Sequence, residues 1–313
     1  MMIETWMQPL PHGITLSCRA TGERGRPVLL FLHGFPEAAF IWDELLIFFA
    51  LPENGGYRCV APNMRGFEAS SAPTEIKDYR AKFLVQDILA LIETECGPSC
   101  PLAALVAHDW GGAVAWNLVN QHPDRVSRLV IMNSPHPGTF LRELQTNPAQ
   151  QAASEYMNAL IEPNAEQVFS ANGFEALLGF FSTFSGENPQ EERNVHPSST
   201  WLTQDVKARY RQLWQRGLTG GLNYYRASPL RPARAGDPAA AAITLPPQAL
   251  RIERPTLVLW GQNDHALLPA LTVGLEDYIP DLTLVPLPGT SHWVVHEQPE
   301  RVQREIAHFL KHP

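Results

Sequence analysis

Cysteine is scarce in this chain, four among 313 residues, too few to staple a fold of this length. Cys18 and Cys59 fall inside strand-like segments, where a buried free thiol is expected. Cys96 and Cys100 frame Gly-Pro-Ser, but no second Cys/His pair at finger-like spacing accompanies them, so no metal is expected there. Long hydrophobic runs are missing too. The most apolar stretch, Leu45 to Leu51, is seven residues long and stands between Asp43-Glu44 and Pro52, so no membrane span is expected. The N-terminal Met1 to Pro11 has neither a basic segment nor an apolar core of signal-peptide length, which points to a soluble, cytoplasmic protein. Blocks of like charge are absent, and 24 Lys+Arg against 32 Asp+Glu give a net charge of −8, which argues against a nucleic-acid partner.

What is present is a globular composition, 44% hydrophobic and 18% charged. At about 150 residues per domain the length suits one large core with an insertion. Short runs that are apolar throughout (Val28 to His33, Leu102 to Ala107, Arg128 to Met132, Thr256 to Trp260) read as strands of a parallel sheet covered on both faces. Helical patterns such as Tyr79 to Glu95 and Gly111 to Gln121 lie between them, and Glu4 to Gln8 with Ile14 to Thr21 reads as an antiparallel hairpin. The alternation stops at Pro135. Up to about Arg251 the chain is helix-like and carries Tyr156, Phe169, Phe174, Phe180, Tyr210 and Trp214, with Pro229 to Pro247 as a long surface loop. The expected division is a core of residues 1–134 and 252–313, with a helical cap at 135–251.

Ala107-His108-Asp109-Trp110-Gly111-Gly112 sits between a strand and a helix. Small residues flank a central side chain there, as in a nucleophile elbow, with Asp109 where other enzymes carry Ser. A carboxylate needs no base to attack an sp³ carbon and form an ester. The plainer reading is that Asp109 caps the helix that follows. His33-Gly34-Phe35-Pro36-Glu37 follows the strand at Val28 and would supply an oxyanion hole from the amides of Phe35 and Trp110. Asp264 in Trp-Gly-Gln-Asn-Asp and His292 in Ser-His-Trp complete the order nucleophile, acid, histidine. His296 is a rival histidine one helical turn on. Asn133-Ser134, after another strand, offers no carboxylate as an alternative acid.

These motifs, with Arg65 to Ser70 (RGFEAS) and Asn133 to Pro137 (NSPHP), give nearly the whole chain a likeness to one family. It resembles the α/β-hydrolases of the epoxide hydrolase branch, in their soluble bacterial form. The resemblance implies a mostly parallel eight-stranded sheet flanked by helices, with an inserted α-helical cap. It also implies two cap tyrosines that hold the epoxide oxygen, at Tyr156 and Tyr225; Tyr224, next to Tyr225 on a helix, would point elsewhere. His33, Pro36, Trp110, Pro135 and His136 are expected around the substrate. The implied reaction is conversion of an epoxide to a vicinal diol through an ester on Asp109, hydrolysed by water that His292 activates. No cofactor is implied. The expected partners are a small epoxide and water, with the chain a monomer or homodimer. A dehalogenase would use the same Asp-His-Asp set, though many place Asn where Phe35 stands. Enzymes acting on fluoroacetate-type acids place arginines after the nucleophile, and Gly111 to Val119 has none. A non-catalytic ligand sensor on this fold is a third reading.

Overall fold

The computed structural model describes residues 2–186 and 201–311. Its centre is an eight-stranded sheet in the order β1-β2-β4-β3-β5-β6-β7-β8. The strands are β1 (Glu4–Pro9), β2 (Thr15–Thr21), β3 (Val28–Leu32), β4 (Arg58–Pro62), β5 (Ala104–His108), β6 (Leu129–Met132), β7 (Thr256–Gly261) and β8 (Leu282–Leu287). β2 runs antiparallel to β1 and β4, and every pairing from β4 to β8 is parallel. The five strands β3 to β7 are buried at every residue, whereas the edge strands β1 and β8 are largely open.

Side chains alternate across this sheet into two cores, as the pleat requires. Leu30, Leu32, Leu105, Ala107, Leu129, Ile131, Val258 and Trp260 face one. That core is covered by α2 (Ala81–Cys96) and α3 (Trp110–Gln121). Leu29, Phe31, Ala104, Val106, Val130, Met132, Leu257 and Leu259 face the other, under α1 (Asp43–Ala50) and the C-terminal helices. Between β6 and β7 come α4 (Pro137–Thr146), α5 (Pro148–Ala153), α6 (Tyr156–Leu160), α7 (Ala165–Thr183), α8 (Gln204–Trp214) and α9 (Thr219–Ala227). Their apolar faces, with Leu160, Phe181, Tyr210 and Leu222, join the first core. The return to β7 passes through short 3₁₀ turns at Ala239–Ala242 and Pro247–Ala249. After β8 the chain ends in α10 (Val294–Glu297) and α11 (Pro299–Lys311). Among the described residues, no helix is long and apolar enough to cross a membrane.

This topology brings the carboxyl ends of β3, β5, β6, β7 and β8 to one rim of the sheet. The loops leaving that rim carry His33 to Glu37, Asp109, Asn133, Asp264 and His292. Ligands of open parallel sheets bind at such a rim.

Candidate active site

Asp109 lies between β5 and α3 with φ 49° and ψ −122°. A non-glycine residue rarely holds such a backbone, and the strain costs on the order of 1–3 kcal/mol. The neighbours make it possible. A Cβ on Gly34 would come within 2.3 Å of the Asp109 Cβ and Oδ1, and one on Gly111 within 2.3 Å of the Leu32 carbonyl oxygen. Only glycine lets the three segments meet this closely. The Ser134 hydroxyl donates to the Asp109 carbonyl at 2.6 Å and pins the turn from the β6 side.

The Asp109 carboxylate makes no capping bond to α3. Its Oδ1 instead accepts the Phe35 N–H at 2.7 Å. Trp110 is the first residue of α3, and an N–H at that position has no acceptor within its own helix. Of the two amides expected as an oxyanion hole, that of Phe35 already meets the carboxylate, and that of Trp110 follows Asp109 directly in the chain. Oδ2 stands 3.9 Å from the His292 Nε2.

His292 is buried, and its Nδ1 donates to the Asp264 Oδ2 at 2.7 Å. Asp264 is itself held by four donors. The Ala266 and Leu267 N–H groups bond Oδ1, each at 2.8 Å, and Asn133 Nδ2 shares Oδ2 at 2.7 Å. Asn133 is in turn fixed by accepting the Gly261 N–H at 2.8 Å. Sequence reasoning passed over Asn133 as a mere lack of a carboxylate. Its position directly after β6 was the available signal. Burial opposes charge on His292, but Asp264, by charge and hydrogen bond, outweighs it together with Asp109 and Glu37. The imidazole is held up at about 9.

His296 does not approach Asp109. Its Nε2 meets the Glu37 Oε1 at 2.6 Å, and its ring stacks on Trp201. Glu37 also accepts the Tyr210 hydroxyl at 2.6 Å, so it ties the β3 loop to α8 and to the C-terminal segment. Burial disfavours charge on Glu37, yet His296 and His108 hold its carboxyl far below the usual range. Sequence reasoning saw Glu37 only as the end of a motif.

A cavity of about 340 Å³ opens over Asp109. Tyr156, the first residue of α6, and Tyr225, in α9, both line it. The Tyr225 ring is gripped edge-on by Phe35 at 5.3 Å and Trp110 at 5.0 Å. Burial, then the negative charge of Asp109 and Asp264, pushes the Tyr156 phenol well above its ordinary value, against a hydrogen bond with Tyr225. Tyr225 is raised by burial, then by Tyr156 and Asp109. Tyr224 turns its hydroxyl away to the Arg65 carbonyl at 3.0 Å, although its ring touches the cavity.

Of the residues expected around the substrate, Trp110 and Pro135 line this cavity. His33, Pro36 and His136 do not. The His33 ring turns back into its own loop, with Nδ1 donating to the Gly34 carbonyl and Nε2 accepting the Met64 N–H. Its burial lowers it to about 4 and keeps it neutral. Pro36 sits against α8, where its carbonyl accepts the Trp214 indole N–H at 2.7 Å. His136 caps α4, donates to the Leu250 carbonyl and stacks on Tyr278. For the two histidines, backbone partners nearby outcompete the open cavity.

The family model described as the alpha/beta hydrolase fold matches residues 27–299. Epoxide hydrolase 3 of Xenopus tropicalis is 32% identical over 303 residues, covering 96% of this chain and 75% of its own. The chain belongs to the α/β-hydrolase family, in its epoxide hydrolase branch. The AB hydrolase superfamily protein YfhM of Bacillus subtilis is 29% identical, covering 96% of both chains. Among solved structures, a Bacillus megaterium epoxide hydrolase in complex with an inhibitor superposes with a TM-score of 0.83 at 28% identity. That match covers 98% of this chain and 100% of the other. A second, described among novel epoxide hydrolases from metagenomes of hot environments, is 34% identical with a TM-score of 0.83. It covers 99% of each chain.

Proposed function

We propose that this epoxide hydrolase opens its substrate to a vicinal diol in two steps, through an ester on Asp109, with residues 135–251 acting as a cap. The arrangement that supports this reading is a single one. A carboxylate on a strained elbow shares a cavity with two phenols and has a buried His-Asp pair behind it.

In the first step Asp109 Oδ2 attacks a ring carbon, the carbon–oxygen bond breaks, and the oxygen takes a proton from Tyr156 or Tyr225. Phenols raised far above their ordinary range stay protonated at working pH, which suits a donor to an alkoxide. A positioned acid of this kind contributes about 10²–10⁴-fold. Oδ1 becomes the ester carbonyl oxygen, already beside the Phe35 amide.

Ester formation also removes the negative charge of Asp109, one of the causes that hold the His292 proton. His292 then gives up that proton, which replaces the one the phenol lost, and can accept one from water. Attack of the water on the Asp109 Cγ develops charge on Oδ1, where the amides of Phe35 and Trp110 receive it. Collapse breaks the ester bond, His292 returns its proton to the departing diol oxygen, and the new carboxyl passes the remaining water proton back to His292, which restores the carboxylate. The diol carries the former Oδ2, and water supplies its replacement.

A single turnover in H₂¹⁸O tests this sequence. Label should enter Asp109 and be absent from the first diol. Label found in the diol on the first turnover rules the ester out. A dehalogenase is the competing use of the same residues. Turnover of 1-chlorobutane to chloride, with no diol formed from styrene oxide, would favour it.

A further inference from the structure

Asp109, Ala113 and Asn117 all line the cavity, and their four-residue spacing puts them on one face of α3. Eight residues at about 1.5 Å each make this face roughly 12 Å long. The cavity is therefore a channel running along α3 from Asp109 outward. Its walls are apolar, with Leu84 on one side and Leu230, Ile243 and Leu245 of the return loop on another. Gln145 pins that loop by donating to the Ala240 and Ile243 carbonyls, and Asn120 by donating to those of Gln248 and Arg251.

Among the described residues, only two charged ones line the channel, Asp109 and Arg80. Arg80 is exposed and immediately precedes α2, so it stands at the opening. Arg226, Arg231 and Arg234, around the return loop, are each paired with a carboxylate. Arg80 has no ion pair or side-chain hydrogen bond among the described residues. An unpaired cation thus faces the mouth of an apolar channel whose floor holds the reactive carboxylate.

We infer that Arg80 is a specificity-determining residue that receives an acidic group at the far end of an elongated apolar epoxide. This rests on the hydrolase reading of Asp109. The epoxide ring lies at the floor, the apolar arm runs along α3, and the anion meets Arg80 at the rim. The lack of arginine in Gly111 to Val119 disfavours an acid beside the reacting carbon. An acid about a channel length away is a different case, and it is served by a different element.

The test uses terminal epoxides with unbranched carboxylate arms of graded length, their methyl esters, and styrene oxide. They are assayed with wild type, Arg80→Gln and Arg80→Glu. The acid-to-ester ratio of kcat/KM in wild type should rise with arm length, reach up to about fivefold when the arm spans the channel, and shrink with salt. In Arg80→Gln the ratio should fall to about one, and in Arg80→Glu below one, each ratio being taken within one variant so that a general change in turnover cancels. A wild-type ratio of one or less at every length, or a preference surviving in Arg80→Glu, overturns the assignment. Calorimetry with the non-reactive diol acid and its methyl ester separates the two readings. Tighter binding of the acid without turnover of any epoxide leaves Arg80 assigned and removes the hydrolase reading. Equal binding of the two removes Arg80.

Discussion

His292 Nε2 stands 3.9 Å from Asp109 Oδ2, beyond hydrogen-bond reach but well within the range of charge interaction. Asp109 thereby helps to hold a proton on His292 in the free enzyme, and the same separation leaves its oxygens uncommitted to the imidazole.

The pH behaviour follows in sign. The folded-state pKa of His292, about 9, lies above its ordinary 6.5, so the charged imidazole stabilises the fold. That contribution is complete below about pH 6.5 and is lost as pH rises through about 9. Asp109→Asn removes one cause of the elevation, so the His292 titration observed by NMR should move down. The loss of stability should still begin near pH 6.5, but it should be smaller and end at lower pH. A midpoint unchanged by this substitution would falsify the coupling.

His292→Gln should leave alkylation intact and block hydrolysis, because a carboxylate nucleophile needs no base in the first step. Intact-mass analysis should show the enzyme plus one epoxide, and Asp109→Asn should abolish the adduct. His296→Gln should trap nothing, since that ring is engaged with Glu37 and Trp201. An adduct on the His296 variant alone would reverse the two roles.

The elbow is legible in the sequence because its cause is local. Ala107, Gly111 and Gly112 bracket Asp109 within a few residues, and strand periodicity marks where the turn must fall. The fully buried strands are equally legible, since runs apolar on both faces fit little else. Asn133 is not legible in this way. Its partner Asp264 lies 131 positions along the chain, and only the sheet order brings the two loops together. Motif membership misleads at His33, Pro36 and His136, because a motif fixes the backbone path and not the direction of a side chain. The cavity wall at Ile243 and Leu245 comes from an irregular segment with no periodicity to read.

Asn133→Ala should expose the importance of the shared Asp264 oxygen. Removing one donor to a buried carboxylate costs about 1–3 kcal/mol, which urea denaturation should register. The His292 ring is oriented through Asp264, so hydrolysis of the ester should slow more than its formation. Rapid-quench kinetics would separate the two steps, and equal slowing of both would reduce Asn133 to a purely structural role.

The final prediction concerns three tyrosines that line the cavity, Tyr156, Tyr224 and Tyr225, which the geometry now distinguishes. Tyr156→Phe and Tyr225→Phe keep almost all the packed volume and remove only a hydroxyl that faces the cavity. Each single change should slow epoxide opening, with the remaining phenol retaining part of the effect. The double change should remove most of the 10²–10⁴-fold expected of a general acid. Tyr224→Phe should behave differently from both. Its hydroxyl is buried and donates to the Arg65 carbonyl, so its loss should cost about 1–3 kcal/mol of stability and leave the opening step near its wild-type rate. Burst kinetics with styrene oxide and thermal denaturation, run on all four variants, would decide the matter. A double variant that still opens epoxides within about threefold of wild type would contradict the acid role, because so small a loss lies far below that range.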